Sequence, residues 1–368
     1  MTDRKVTGYT VADFDQGYTS RKIYKTDEPE IKFTPGEPLE VFRLLPMKLI
    51  NEKCYWFHIL SDNAKIVRIY EISVHNNDMI PPHGYDLYRY CALTKKMKVV
   101  RELALEDLID LQVKSVLNER KPVFELTPTC KAIETGIGHG AYIFNNDNKA
   151  KIGVSNSDYS VTEINIGGDE AVAVSDVPSA RLSAITYDCI LATSSDHSTL
   201  TAIGRGCILA STGDEVSMTA SGNASFLVAT GNKASLMSSG DVSTILATGD
   251  NATLVENGTS TRFISTGAYA RLNSSGRYSA LCATGDQSTI TIDGYHAFCE
   301  ALGQNNTINI LDADSAIFTG VKGTIVNVVD NNHRTIVGCI GENGLRENTN
   351  YTVKNGQFIE MPTMDDNA

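Results

Sequence analysis

A glycine stands at every ninth residue through the middle of this chain. From Gly204 to Gly303, twelve glycines stay in register without a slip. A large apolar residue such as Ile245 follows five places after most of them, with small residues such as Ser243 and Ala247 two places to either side. Small, large, small on alternate residues is the period of a β-strand with one face inward. Each nonapeptide therefore predicts a short strand, and the glycine marks a turn that needs positive φ or close backbone approach.

The residues five places after the glycines are the predicted core. They are Leu209, Met218, Leu227, Leu236, Ile245, Leu254, Phe263, Leu272, Leu281, Ile290, Cys299 and Ile308. The same spacing extends the row to Leu182, Leu191 and Leu200 upstream, and to Ile317 and Val326 downstream. We therefore expect an array of nineteen nonapeptides over residues 159–329.

Alternate nonapeptides differ, so the true repeat is eighteen residues long. "VATG", "LATG", "ISTG" and "CATG" end at residues 231, 249, 267 and 285, and different tetrapeptides end at the glycines between them. Two strands per coil predict a mainly β fold, a two-sheet parallel β-solenoid, preceded by a small α+β domain. With coils about 4.8 Å apart, the array would be about 45 Å long. Calcium-binding nonapeptide repeats need more glycine and a regular aspartate, so we expect no metal.

The remaining segments divide the chain into four parts. Residues 1–120 predict an α+β domain, residues 121–158 a connector and first cap, and residues 330–368 a C-terminal β-cap and tail. Within the first part, "KIVRIYEISV" (65–74), "DLYRYCAL" (86–93) and "MKVVREL" (97–103) read as strands. A helix is predicted over 105–117, with one apolar face formed by Leu105, Leu108, Ile109, Val113 and Val116.

The charge of the chain restricts its partners. The formal net charge is −12, and residues 159–329 contribute −9 of it through 16 acidic and 7 basic residues. Such a charge disfavours direct binding to nucleic acid or to an anionic membrane. The sequence shows neither an apolar leader nor 18 consecutive apolar residues. The eight cysteines contain no CxxC pair, so we expect free thiols in a bacterial cytoplasm.

One sheet carries outward side chains that are unusually apolar. We interpret this strip as a contact surface; its site residues are Phe226, Val228, Leu246, Arg262, Ile264, Cys282 and Phe298. Two explanations remain open. The strip could join two copies of the chain in a homo-oligomer, first of all a dimer, or a tail or the N-terminal domain could fold over it.

A second candidate surface is an acidic ladder at one corner of the coils. Asp196, Asp214, Asp250 and Asp286 each follow a glycine position, and Asn232 occupies one rung between them. Stacked carboxylates could bind cations or imitate the phosphates of DNA. Alternatively, Asp and Asn are ordinary turn residues.

No enzymatic motif is present. The seven histidines are scattered, and no catalytic triad spacing, HExxH or P-loop occurs. "GIGHG" (136–140) lacks the lysine and the context of a phosphate-binding loop. We therefore expect no catalytic residues, no cofactor and no metal. The N-terminal segment faintly resembles ADP-ribosyltransferase-type folds through a strand, a short helix at "PLEVF" and further strands.

The chain resembles a family of phage- and prophage-encoded proteins of unknown function. The resemblance rests on "GEPLEVF" (36–42), "CYWFHIL" (54–60) as the following strand, "KKMKVVRELALEDLI" (95–109), the nonapeptide array and "TNYTVKNGQFIE" (349–360). It implies a small N-terminal domain, a glycine-rich solenoid and a short β-cap. Many relatives carry a histidine where this chain has Phe33, so the resemblance brings no histidine chemistry to this chain.

These features favour a non-enzymatic accessory protein of phage type. We expect it to bind and inhibit a host protein, such as a defence or restriction component, through a rigid acidic solenoid. One alternative is a virion or tail-associated structural protein that oligomerises through the solenoid. Another is an ADP-ribosyltransferase-like N-terminal enzyme.

Overall fold

The structure is a computed structural model. It describes residues 5–12, 31–32, 40–43, 68–80, 91–94, 96–119, 140–155, 161–312, 316–330 and 332–361. The chain divides into two compact units, residues 1–114 and 115–368. Phe33, the segment "CYWFHIL" (54–60) and residues 136–139 of "GIGHG" lie outside the described residues.

The N-terminal unit contains a sheet with seven described strands. They are β1 (Lys5–Ala12), β2 (Ile31–Lys32), β3 (Glu40–Arg43), β4 (Arg68–His75), β5 (Met79–Ile80), β6 (Cys91–Thr94) and β7 (Lys96–Leu103), with a short 3-10 turn at Asn76–Asp78. Their spatial order is β2-β7-β4-β1-β3-β6-β5. Tyr70, Ile72 and Val74 alternate along β4 and are buried, as the period-two pattern predicts.

The predicted helix is present as α1 (Leu105–Glu119). Leu108, Ile109, Val113 and Val116 are buried, which confirms the apolar face at the positions where side chains are described. Oδ2 of Asp107 accepts a hydrogen bond from the main-chain N–H of Ala104 at 3.0 Å. This contact satisfies a donor that the first helical turn leaves unpaired.

The prediction of a short helix at "PLEVF" is wrong. Residues 40–43 form strand β3 instead, in which Val41 pairs with Leu93 and Phe42 with Ala92 of β6. Val and Phe favour strands, and pairing with the neighbouring strand β6 outweighs the helical tendency that was assumed for this segment. The element that suggested an ADP-ribosyltransferase-type fold is therefore absent at residues 40–43.

The second unit is a two-sheet parallel β-solenoid with coils of about eighteen residues, as the repeat predicts. Sheet 1 contains β8 (Gly140–Asn145), β10 (Val161–Ile166), β12 (Arg181–Ala184), β14 (Thr199–Ala202), β16 (Ser217–Ala220), β18 (Ser235–Ser238), β20 (Thr253–Glu256), β22 (Arg271–Ser274), β24 (Thr289–Ile292), β26 (Thr307–Ile310), β28 (Ile325–Val329) and β29 (Thr335–Cys339).

Sheet 2 lies on the other side of the core and also contains twelve strands. They are β9 (Lys151–Val154), β11 (Val172–Ser175), β13 (Ile190–Thr193), β15 (Ile208–Ser211), β17 (Phe226–Ala229), β19 (Thr244–Ala247), β21 (Arg262–Ser265), β23 (Ala280–Ala283), β25 (Phe298–Ala301), β27 (Ile317–Gly320), β30 (Tyr351–Lys354) and β31 (Gln357–Glu360). The stack begins with β8 and β9, before the predicted start at residue 159. The repeat count did not include this coil, which lacks the regularly spaced glycines.

The core between the sheets is the predicted row of side chains. Leu236 stands beside Leu254 in sheet 1, and Ile245 beside Phe263 in sheet 2. All twelve residues predicted from Leu209 to Ile308 are buried. Each coil therefore places one large side chain per strand into a continuous apolar column.

Ile317 is an exception to the predicted register. Phe318, not Ile317, pairs with the inward Cys299 and is completely buried, while Ile317 pairs with the outward Phe298. The spacing in sheet 2 is thus nineteen residues at this coil, because one extra residue lies between β26 and β27. Val326 keeps the eighteen-residue spacing from Ile308 in sheet 1.

The repeating glycines are required by close approach of neighbouring coils. A Cβ built on Gly249 would lie 2.1 Å from the carbonyl oxygen of Gly231 in the coil before it. The left-handed residue of the same turn is Asn251, with φ of 59°. Of the two explanations for the glycines, the structure therefore supports close backbone approach.

The C-terminal end reverses the strand direction. β29 pairs antiparallel with β28, and β30 and β31 form a hairpin that joins β27. Phe318 packs against Tyr351 and Phe358, with ring centroids 6.1 Å and 5.9 Å apart. These aromatic side chains close the apolar column at its last coil.

Candidate functional site

The corner that joins sheet 2 to sheet 1 carries the predicted acidic ladder. Oδ1 of Asp196 accepts a hydrogen bond from the main-chain N–H of Asp214 at 2.8 Å, and Oδ1 of Asp214 accepts one from Asn232 at 2.6 Å. Oδ1 of Asn232 accepts the next hydrogen bond of the series, from the main-chain N–H of Asp250 at 3.0 Å. Each rung thus uses one side-chain oxygen to bind the main chain of the next coil. The structure gives these residues the turn role that the sequence left as one of two explanations.

The ladder extends to the end of the array with one break. Oδ1 of Asp250 accepts from the N–H of Ala268 at 2.8 Å, and Oδ1 of Asp286 accepts from Gln304 at 2.8 Å. Ala268 has no side-chain acceptor and interrupts the series. All four carboxylates are exposed. They therefore hold negative charge at defined heights along one corner.

The next residue of each turn adds a second row of side chains. His197, Glu215 and Lys233 adopt left-handed φ of 56–57°. Glu215 contacts Lys233 at 2.8 Å between Oε1 and Nζ, and His197 at 3.3 Å between Oε2 and Nδ1. The hydrogen bond from Lys233 lowers the pKa of Glu215. These pairs partly balance the ladder near its middle.

The opposite corner repeats the same main-chain chemistry. Oδ1 of Asn223 accepts from the N–H of Asp241 at 3.0 Å, and Oδ1 of Asp241 accepts from Thr259 at 2.8 Å. Further along, Tyr278 stacks on His296 with ring centroids 5.2 Å apart. This corner carries mixed charge and aromatic groups rather than a row of carboxylates.

The apolar strip predicted on sheet 2 does not face solvent. Its members have relative exposures of 5% at Phe226, 0% at Val228, 1% at Leu246, 0% at Ile264 and 4% at Cys282. Arg262 and Phe298 are half-buried. The prediction of an exposed strip is therefore wrong, because these side chains are buried within the folded chain. These positions therefore offer no exposed apolar surface, and the homo-oligomer stays a prediction.

The outward face of sheet 1 is open instead. Strands β16, β18 and β22 carry exposed side chains on this face: Ser217, Thr219, Ser235, Met237 and Arg271. The two sheets thus differ: strands β11 to β19 of sheet 2 are buried on both faces, whereas those of sheet 1 alternate between buried and exposed residues. Continuous apolar strands such as "VAVS" and "FLVA" are typical of strands covered on both sides.

Two cysteines, Cys189 and Cys207, stand eighteen residues apart at the same position of neighbouring coils. Cys189 and Cys207 are completely buried, and both are free thiols. The hydrogen bond between them and their burial raise the pKa of Cys207. Burial raises the pKa of Cys282 to about 12, and its side chain is buried rather than exposed with the predicted strip.

A buried acid was missed by the sequence analysis. Glu256 ends strand β20 and points into the core, where its exposure is 0%. The signal was present: most neighbours at this repeat position are Ala, Ser or Ile, and one glutamate breaks the row.

Chemistry dependent on a metal finds no support in the described ranges. No group of three His, Cys, Asp or Glu residues there could hold a metal ion. Of the seven histidines, His75, His197, His296 and His333 lie in described segments, and they belong to different strands and turns. The expectation of a chain without catalytic residues or a cofactor stays a prediction.

Comparison with known proteins returned no relatives. No family model matches the chain, and neither a curated protein nor a solved structure shows significant similarity to it. Within the described segments, no helix has the length and hydropathy that would be needed to cross a bilayer.

Proposed function

We propose that this chain is a non-enzymatic binding protein that holds a basic partner protein against the acidic ladder of its solenoid. The observation that carries the proposal is the main-chain hydrogen bond made by each rung. Oδ1 of Asp196, Asp214 and Asp250 is bound to the next coil, so these carboxylates cannot turn freely. A preorganised row of charge loses less conformational entropy on binding than mobile surface acids do.

The charge of the array supports the same partner chemistry. Residues 159–329 carry −9 of the net charge of −12. Neighbouring coils are about 4.8 Å apart, so the carboxylates of Asp196 and Asp214 reinforce one another's potential, and Asp250 and Asp286 each follow at a distance of two coils. Lysine and arginine side chains of a protein that normally contacts nucleic acid would complement such a row.

The resemblance to phage-encoded proteins supplies the biological setting of this proposal. In that setting, the partner is a host defence or restriction protein, and occupation of its basic surface inhibits it in the bacterial cytoplasm. The virion-associated alternative requires the solenoid to oligomerise through an exposed surface. The apolar strip on sheet 2 is buried and does not supply that surface.

The ladder can be neutralised without breaking its hydrogen bonds. Asn232 already occupies one rung and accepts from Asp250, so asparagine is compatible with the geometry. We would change four rungs together, in the variant Asp196→Asn, Asp214→Asn, Asp250→Asn and Asp286→Asn. A control with the same loss of charge elsewhere is Asp169→Asn, Asp241→Asn, Asp293→Asn and Glu342→Gln.

The experiment is affinity capture from bacterial lysate with wild type, ladder variant and control. We expect a basic protein to be retained by wild type and control, to be lost from the ladder variant, and to be released by salt. The isolated partner should also lose its binding to DNA when wild-type protein is added. Equal capture by all three proteins would place the binding surface elsewhere.

A further inference from the structure

Glu256 is an acid inside the core of the solenoid. It occupies the inward row of sheet 1, directly between Ser238 of β18 and Ser274 of β22. Within the described part of the chain, it is the only carboxylic side chain with an exposure of 0%. A buried ionised carboxylate needs a counter-charge or full hydrogen bonding to be tolerated.

The carboxyl group of Glu256 links two successive coils. Its Oε2 accepts hydrogen bonds from Oγ of Ser274 at 2.9 Å and Oγ of Ser279 at 3.1 Å. Both serines belong to the coil of β22 and β23, whereas Glu256 belongs to the coil of β20 and β21. A Cβ on Gly276 would lie 2.3 Å from Oε1, so the glycine provides the space that the acid occupies.

The second oxygen is incompletely satisfied. Oε1 of Glu256 and Oγ1 of Thr261 are both buried, and neither makes a hydrogen bond of normal geometry. Thr261 and the main chain of Gly276 are nevertheless close enough to lower the pKa of the acid, against the larger effect of burial, which raises it. A proton on Oε1 could be donated to the oxygen of Thr261, and the neutral acid would then satisfy both atoms.

No cation is placed to neutralise this carboxyl group among the described residues. Every described ion pair involves other acids. The charged and titratable residues on the strands and turns packed around Glu256 are Asp241, Arg262, Arg271, Arg277, Tyr278 and Cys282. The three arginines occupy outward strand positions or an exposed turn, as do Asp241 and Tyr278. Burial therefore raises the pKa of Glu256, against the hydrogen bonds from Ser274 and Ser279 that lower it.

We propose that Glu256 is held as a neutral acid in the folded array and acts as a pH-sensitive link between these two coils. With the proton in place, the acid bridges Ser274 and Ser279 above and Thr261 in its own coil. Loss of the proton leaves a buried charge that no cation among the described residues balances, and the contact between the two coils weakens. This inference does not depend on the proposed binding function.

The direction of the pH effect follows from the raised pKa. The stabilising contribution of Glu256 is complete below the ordinary carboxyl pKa, about 4.3, and is lost as the pH rises through the folded-state value. Glutamine imitates the neutral acid, with one acceptor oxygen and an NH₂ group that can donate to Thr261. Wild type should therefore lose stability relative to Glu256→Gln as the pH rises.

The test is chemical denaturation of both proteins between pH 4 and pH 9 at constant ionic strength. We expect equal stability near pH 4 and a growing advantage of Glu256→Gln above it, up to about tenfold in the folding equilibrium per pH unit. Glu215→Gln is the matched control, because Lys233 lowers the pKa of Glu215 and the advantage should not appear. A difference between wild type and Glu256→Gln that does not change with pH overturns the proposal.

A second measurement decides the question if Glu256→Gln fails to fold. The side-chain carboxyl carbons of wild-type protein, labelled with ¹³C at glutamate, can be followed by NMR during a pH titration. One signal should keep the chemical shift of a protonated carboxyl group after the exposed glutamates have ionised. That signal should be absent from Glu256→Asp. If all glutamates ionise in the ordinary range, the acid is not held neutral.

Discussion

The main-chain N–H of Asp214 binds the carboxylate of Asp196, the residue at the same position one coil earlier, at 2.8 Å. The same bond recurs between Asp214 and Asn232 at 2.6 Å. A side chain of one repeat thus satisfies the backbone of the next, in a turn where strand pairing has ended. The acidic ladder is therefore part of the solenoid's hydrogen bonding as well as its main row of surface charge.

The ladder bond can be tested at a single rung. Asp214→Ala removes the acceptor for the N–H of Asn232, and we expect a loss of about 1 kcal/mol in the free energy of unfolding. Asp214→Asn keeps the acceptor and should change it by less than about 0.5 kcal/mol. Urea denaturation of the three proteins measures both. If alanine and asparagine have equal effects, the bond contributes nothing.

The core row predicts a strong contrast between two adjacent residues. Leu254 is completely buried, so Leu254→Asp places an unpaired carboxylate in the core and should cost several kcal/mol. Thr253 lies on the outward face of the same strand, and Thr253→Asp should cost less than about 1 kcal/mol. Thermal unfolding followed by circular dichroism compares them. Similar melting temperatures for the two variants would contradict the strand orientation.

Because the strip on sheet 2 is buried, a substitution in it should lower the free energy of unfolding rather than affect self-association. Leu246→Ala leaves a cavity in a covered site, and we expect a loss of about 2–5 kcal/mol. Met237→Ala, on the open face of sheet 1, should stay within about 0.5 kcal/mol of wild type. Denaturant titration gives both values. A small effect at Leu246 would mean that the strip is free in solution, as the sequence suggested.

Thiol reactivity should follow burial. Cys189, Cys207, Cys282 and Cys299 are buried, whereas Cys339 is partly exposed. Thiolates are the reactive species, and burial raises the pKa of Cys282 to about 12. We expect a maleimide reagent to label Cys339 rapidly and the other four only after unfolding, as read by peptide mass spectrometry. Rapid native labelling of Cys282 would show that this side chain becomes exposed in solution.

The register of the solenoid could be predicted from the sequence because it depends on local alternation. Leu254 and Ile245 point inward since each stands five residues after a glycine, and a slip by one residue would expose the whole row. Ile317 was misplaced because one added residue between β26 and β27 shifts only sheet 2. A count along the sequence cannot tell which of the two sheets absorbs such an insertion.

The surroundings of the array could not be predicted in the same way. Alternation shows that Phe226 points away from the core, but it does not show what lies on that side. The run "FLVA" carried the missing signal, since both alternating sets are apolar. Glu256 was overlooked because its row was identified by the small size of most of its side chains. Only the tertiary structure shows that its carboxyl group accepts hydrogen bonds from Ser274 and Ser279.

The reversed strands at the C-terminus bear on how this protein behaves at high concentration. A stack of parallel coils has no intrinsic last member, and an open end is a template on which another molecule can add. Here β28 is already paired with the antiparallel β29, and β27 with the β30–β31 hairpin. An arriving molecule would meet strands of the opposite direction and could not extend the eighteen-residue register. The reversed strands thus end the stack on this side, and this end of the array is protected from growing into a filament.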